Sequence, residues 1–270
     1  MLFKNLGFWL LAPSAAALAI DASNNGRHVR RDRSSGNWCG QVLHGNDFRD
    51  VSSAWVMPTS WPLPAHYYSQ QPIYNYQWVG IDGASDQCQA ILQAGTYARM
   101  EDNVLTYGFW YEFYPKESWL MTEPVALQVN PGDSVYVQVK AYNSTSGYAL
   151  VYLHSSKPAS LTVLNFHRYM KNLSTGEEVM IPMDAPEGYS LCGSTAEWIQ
   201  ENASPSAASG LAPFNTFYFE YCSASDAYGY NYNLEGSEKW YMHPLNSDPI
   251  CYPSNVFGGT VQINYSGPTA

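Results

Sequence analysis

Basic side chains are scarce in this chain. Only 13 Lys and Arg stand against 23 Asp and Glu among 270 residues, for a formal charge of −10. Without a basic patch carrying interleaved aromatics, so acidic a chain repels nucleic acid and anionic membranes, and neither is expected as a partner. Long apolar runs are missing too. The stretch from Leu6 to Leu11 falls well short of the ~20 residues that cross a bilayer.

The five cysteines, Cys39, Cys88, Cys192, Cys222 and Cys251, show no CxxC spacing and no matched histidine pair, which argues against structural zinc. The histidines are scattered singly, and isolated histidines are more often structural than catalytic. No metal or other cofactor is expected. There is no G-x-S-x-G elbow, no H-E-x-x-H pair, no Gly-rich phosphate loop, and no Asp-Thr-Gly or Asp-Ser-Gly of the pepsin type. Several hydrolase classes are thereby excluded.

Residues 1–19 combine Lys4, a short apolar run and the small-residue pattern Ala17-Leu18-Ala19, which together read as a secretory signal peptide. Residues 20–33 are polar, contain the dibasic Arg30-Arg31, and read as a short propeptide. Residues 34–270 are then one secreted domain. Disulfides suit that compartment, and an odd cysteine count leaves one thiol over. Asn143, Asn172, Asn202 and Asn264 each open a glycosylation sequon.

Aromatics make up 15% of the chain, with 22 Tyr and 9 Trp, a bias toward side chains that fit pleated, half-buried surfaces. From Val51 onward, strand-like runs alternate with Gly, Pro, Asn and Asp. The clearest are Val104–Tyr114 and Ser134–Tyr142, the latter entered through the turn Asn130-Pro131-Gly132-Asp133. Further strands are expected over Ser53–Met57, Gln77–Asp82, Ala90–Gly95, Tyr148–His154, Leu161–His167, Phe214–Tyr221 and Thr260–Tyr265. Only Thr195 to Ala203 could pass for a short amphipathic helix. Many strands without helices point to an all-β sandwich or barrel.

Five segments occur in a telling order. They are Asn37-Trp38-Cys39-Gly40, Trp78-Val79-Gly80-Ile81-Asp82-Gly83, Ile91-Leu92-Gln93-Ala94-Gly95, Trp110-Tyr111-Glu112-Phe113-Tyr114-Pro115, and Leu191-Cys192 followed by Ala196-Glu197-Trp198-Ile199-Gln200-Glu201. In this order and spacing the chain resembles the glutamic peptidases, or eqolisins. The resemblance implies a lectin-like sandwich of two large antiparallel sheets, with the active site on the concave face. It places the family's catalytic pair on Gln93 and Glu201, and residues that line or support the site on Trp78, Asp82 and Glu112. It also implies a Cys88–Cys192 disulfide, leaving Cys222 and Cys251 as the remaining candidate pair and Cys39 as the free thiol. The implied partners are polypeptide substrates, and a monomer is expected.

The chemistry accounts for the two residue types. Peptide hydrolysis needs a water deprotonated, an oxyanion stabilised and a departing nitrogen protonated. An ionised Glu201 takes a proton and later returns it as the acid. Gln93 cannot titrate, but its amide accepts from the water and donates to the oxyanion. With a pKa near the reference ~4.3, Glu201 is ionised in mildly acidic solution, so activity in acid is expected.

The family pattern is not matched throughout: Asn202 stands where Asp commonly follows the catalytic Glu, and Tyr148 to Met170 is longer than the matching stretch. Glu197 and Glu201 share a face if their segment is a strand, which makes Glu197 the competitor for the acid–base role. Trp78 and Trp110 could be core aromatics only. Two other classes also stay open: a non-catalytic lectin-like carbohydrate-binding module, and a glycoside hydrolase using Glu112 and Glu201 across a cleft. N-terminal sequencing of the secreted form is expected to begin at or just after Asp32. Finding Ile20 first shows that the propeptide is retained.

Overall fold

Strands β1 to β16 follow in chain order: Arg33–Ser35, Trp38–His44, Phe48–Val56, Ile73–Ile81, Ile91–Glu101, Val104–Tyr114, Trp119–Met121, Ser134–Ala141, Ser146–His154, Gly176–Asp184, Thr195–Asn202, Phe217–Asp226, Asn231–Tyr232, Glu238–Met242, Cys251–Pro253 and Val261–Tyr265. The computed structural model describes residues 32–68, 72–85, 88–121, 128–154, 176–203, 211–243 and 248–269. The expected signal peptide, the propeptide up to Arg31, the strand Leu161–His167 and Asn172 lie outside them. Apart from one 3-10 turn at Pro64–Tyr68, the regular elements among the described residues are strands.

Hydrogen bonding runs continuously along the order β10-β9-β8-β3-β12-β16-β15-β14-β2-β11-β4-β5-β6-β7. All these pairings are antiparallel, and only the short β1 runs parallel, beside β14. The sheet curls over on itself into the expected β-sandwich. The fold back is made by β12: its first residues pair with β16 and its later ones with β3. Between them the register slips from Glu220 to Ser223, and Tyr221 takes a positive φ of 54°. A bulge of this kind sharpens the local twist and lets one strand serve two sheets.

The core fills the space between the folded halves. Val135, Val137, Val139, Ala149 and Val151 of one half face Val79, Ile81, Leu92, Ala94, Phe109 and Phe113 of the other, all buried. Burying them is the main driving force for closure. A second apolar cluster, with Trp38, Val42, Tyr76, Trp78, Tyr97, Trp110 and Ile199, lies on the opposite, concave face of the β2-β11-β4-β5-β6 region. Strands here are therefore buried on both faces, which removes the apolar/polar alternation that marks a half-exposed strand.

That double burial explains where the sequence misleads. Thr195–Asn202 is strand β11, not a helix, because β2 and β4 pair with both its edges. Its Ala196 and Trp198 enter the inter-sheet core while Ile199 joins the concave cluster. Strand β2, WCGQVLH, lacks an alternating pattern for the same reason and has six of seven residues buried. The turn at Asn130–Asp133 forms as expected, with the Asp133 amide donating to the Asn130 carbonyl at 3.0 Å. Among the described residues the first strand starts at Arg33.

Two disulfides close the fold. One joins Cys88 and Cys192, 104 residues apart, with Cα atoms 6.0 Å apart. The other joins Cys39 to Cys251, which corrects the expected Cys222–Cys251 pair and the expected free Cys39. Register dictates this choice: β14 pairs with β2 at Trp240–Gly40 and with β15 at Met242–Cys251, which carries Cys251 beside β2. Cys222 sits on β12, with its sulfur 3.4 Å from the Ser53 hydroxyl, and is the free thiol.

Asn202 is also corrected as a glycosylation candidate, since it is 1% exposed and leaves no room for a glycan. Asn143 is exposed in a loop where its Oδ1 accepts from the Thr145 amide at 2.8 Å.

Burial pushes the Cys222 thiol up to about 12, so it resists alkylating reagents in the folded protein. Peptide mapping without reductant should find Cys39–Cys251 and Cys88–Cys192, with Cys222 alkylated only after unfolding. A bridge from Cys222 to any other cysteine contradicts this pairing.

Candidate active site

The concave face carries a cleft of about 590 Å³ lined by Gln93, Glu112 and Glu201 with Asn37, Trp38, Tyr74, Tyr76, Trp110, Tyr114 and Trp240. Register decides which side chains meet there. Gln93 on β5 lies opposite Glu112 on β6, and both residues alternate with core-facing Leu92 and Phe113. Glu201 on β11 lies opposite Trp38 of β2 on one side and Tyr76 of β4 on the other. The β5–β6 hairpin and the distant β11 thus deliver their polar groups to one surface.

Glu201 receives converging donors. Trp78 Nε1 donates to its Oε2 at 2.8 Å, and Asn37 Nδ2 donates to its Oε1 at 3.0 Å. Burial nevertheless dominates and pushes the carboxyl up to about 7, against the lowering effect of hydrogen bonds from Trp78, Trp38 and Asn37. Desolvation penalises the charged form more than these donors favour it. An ordinary carboxylate, ionised in mild acid, was expected here; burial shifts Glu201 toward its protonated form.

Gln93 Nε2 donates to Glu112 Oε2 at 2.5 Å. Glu112 is also pushed up to about 7, first by burial and then by the charge of Glu201, with the Gln93 hydrogen bond acting in the opposite direction. Gln93 Oε1 is buried and has no hydrogen-bond partner within the protein. That oxygen is a free acceptor, and an amide oxygen of this kind can accept from a water.

Trp78, Glu112 and Asp82 take three different positions. Trp78 touches Glu201 directly and Glu112 touches Gln93. Asp82 is fully buried and does not line the cleft. Its Oδ1 accepts from the amide and hydroxyl of Ser194, and its Oδ2 from the amides of Cys192 and Gly193, at 2.7 to 2.8 Å. It therefore ties the end of β4 to the segment that leads into β11, beside the Cys88–Cys192 bridge.

Sequence alone assigned no role to Asn37, Trp38, Tyr76 or Trp240. Trp38 packs edge-on against Trp78 with ring centroids 5.0 Å apart, and Tyr76 stacks on Trp110 at 4.4 Å. The available signal was the Asn37-Trp38-Cys39-Gly40 segment, but its link to Glu201 depends on strand pairing. A buried hydrogen-bond chain braces the site from behind. It runs from Trp55 Nε1 to Thr96 Oγ1 (3.0 Å), from Thr96 Oγ1 to Gln77 Oε1 (2.9 Å), and from Gln77 Nε2 to Gln200 Oε1 (2.8 Å). Gln200 Nε2 then donates to the Glu201 carbonyl at 3.3 Å. Linked buried hydrogen bonds of this kind rigidify the elements they join. Among the described residues, no group of three His, Cys, Asp or Glu side chains is placed to hold a metal ion.

The profile of the Peptidase A4 family matches residues 36–165 and 159–265. The chain is similar to scytalidopepsin B of Scytalidium lignicola, 29% identical over 238 residues that span 85% of this chain and 77% of that protein. It is also similar to aspergillopepsin-2 of Aspergillus niger, 26% identical over 246 residues that span 86% and 78%. Its fold matches the crystal structure of scytalido-glutamic peptidase bound to a transition state analog inhibitor, with a TM-score of 0.63 and 28% identity over 86% of this chain and 99% of that one.

The donor set around Glu201 makes a direct test possible. Trp78→Phe removes the indole N–H, which favours the ionised carboxylate, so the Glu201 midpoint should rise above about 7. Carbon-13 NMR of the labelled carboxyl would report it, and an unchanged or lower midpoint contradicts the assigned bond.

Proposed function

The chain belongs to the Peptidase A4 family, and we propose that Glu201 and Gln93 together carry out its hydrolysis of peptide bonds, in a secreted enzyme active in acid. The observation that carries this assignment is the meeting of the two side chains in one aromatic-walled cleft, with Glu201 held by Trp78 and Asn37 and Gln93 held by Glu112. Two disulfides suit an oxidising, extracellular setting. Aromatic walls provide flat apolar surface for the side chains of an extended polypeptide, among polar groups that can bind its backbone.

The raised Glu201 pKa supports a sequence of transfers different from base followed by acid. As water adds to the carbonyl carbon, protonated Glu201 gives its proton to the carbonyl oxygen and takes one from the water through its other oxygen. As the C–N bond breaks, Glu201 gives a proton to the departing nitrogen and recovers one from the hydrated carbon. The carboxyl is neutral at the start and at the end, and no isolated charge has to build up beside the partly buried groups of the cleft. Gln93 Oε1 accepts from the attacking water. The amide hydrogen not used by Glu112 donates to the carbonyl oxygen as negative charge develops there. Cleavage should therefore persist in acid and fall as pH rises through about 7, where Glu201 loses its proton.

Glu201→Gln keeps shape and hydrogen bonding but cannot exchange protons, so it should abolish cleavage of a denatured protein at acidic pH. Gln93→Ala should cost on the order of 10²-fold or more, as does the loss of one oxyanion donor. Circular dichroism should show both variants folded. If Glu201→Gln cleaves like the parent, this mechanism is wrong. An inert parent after complete processing and deglycosylation would favour the carbohydrate-binding alternative.

A further inference from the structure

Glu197 is the one acidic side chain of β11 that the proposed chemistry does not use. It is fully buried, and neither carboxyl oxygen has a hydrogen-bond partner. The residue is not remote from the site. Through backbone register, Glu197 is aligned with Gly80 on β4, then Gln93 on β5, then Glu112 on β6, and residues in such a row share a face. Glu197 therefore belongs to the same concave side as the dyad, beneath the cleft surface instead of on it.

The gap in that row is Gly80. A Cβ there would lie 2.8 Å from Trp78 Cζ3 and 3.4 Å from the Cβ of Gln93. The Trp78 ring therefore folds over Gly80, in the space between Glu197 and Gln93, while its Nε1 holds Glu201. Trp78 lies on β4 opposite Ile199, two residues along β11 from Glu197 and on the same face.

We propose that Glu197 is a positioning residue that works as a neutral carboxylic acid, packing the buried end of the Gln93 row so that Trp78 keeps its hold on Glu201, and that its ionisation at higher pH loosens the site. An unpaired carboxylate buried without donors is strongly disfavoured, whereas the protonated acid is tolerated. The surroundings agree. Burial raises the Glu197 pKa well above the ordinary carboxylate value. The nearby Thr195 hydroxyl lowers it in part without closing a hydrogen bond, and the charge of Asp82, just past the end of β4, raises it by a smaller amount. Val42 of β2 brings no charge, and Glu238 beyond it on β14 is paired with His44 and Arg33. Glu201 and Glu112 are the other acids on this face, and no cation faces Glu197 among these neighbours.

The sign of the effect follows from linkage. A folded-state pKa above the unfolded value of ~4.3 means that the folded protein holds the proton more tightly. This contribution to stability is whole below the unfolded value and is lost as pH rises through the folded one. Glu197→Gln is neutral at every pH and nearly the same shape. It should melt like the parent in acid and progressively above the parent as pH rises toward neutrality. Glu112 and Glu201 titrate in both proteins and cancel in the difference.

The kinetic arm rests on the peptidase reading. Glu197→Ala empties the position and should lower kcat on the order of 10²-fold, the cost of a small misplacement at the reacting centre, with KM little changed. Glu197→Gln should restore kcat at acidic pH to within a few-fold of the parent. The melting arm needs no cleavage, so failure of the peptidase reading leaves it intact. It also decides the matter alone if the alanine variant does not fold. A melting difference that stays flat with pH, or a glutamine variant as slow as the alanine one, overturns the proposal.

Discussion

A half-buried carboxyl group at the middle of a sheet is the constraint around which the site is built. Glu201 sits on β11, a strand paired along both edges, so neither neighbouring strand can move without moving its carboxyl. Burial disfavours its charge, and the N–H groups of Trp78 and Asn37 oppose that only in part. The balance leaves a proton on the carboxyl in acid. The same surroundings that make the group expensive to ionise are what would make the proposed proton transfers effective.

The other features follow from keeping that carboxyl in place. Asp82 collects four donors from Cys192, Gly193 and Ser194, and so fixes the entry to β11 against the end of β4. The Cys88–Cys192 bridge joins the lead-in segments of β5 and β11. The chain of Trp55, Thr96, Gln77 and Gln200 reaches the Glu201 backbone from the opposite face. Preorganisation of this sort matters because a group that must reorient during reaction loses much of its electrostatic advantage.

Much of this was legible in residues that stand close together in sequence. Val104–Tyr114 reads as a strand and forms one with the same limits, because its runs of β-formers are bounded by clear turn residues. Gln93 and Glu201 were visible through the segments that resemble a known family. Strand β11 was ambiguous because burial on both faces erases alternation, and the Cys39–Cys251 bridge was not foreseen because it spans 212 residues.

Sequence by itself determined the class: an acidic, aromatic-rich chain of short strands, with a glutamine and a glutamate set in recognisable segments. Those properties are local, since turn chemistry, strand propensity and motif spacing act within about ten residues. Tertiary structure decided which side chains meet. Asn37 reaches Glu201 across 164 residues, Gln93 reaches Glu112 only through the β5–β6 register, and Cys251 arrives beside β2 only through β14. It also decided the protonation of Glu201, because desolvation is set by the packing of strands from distant parts of the chain, and no stretch of sequence carries it alone.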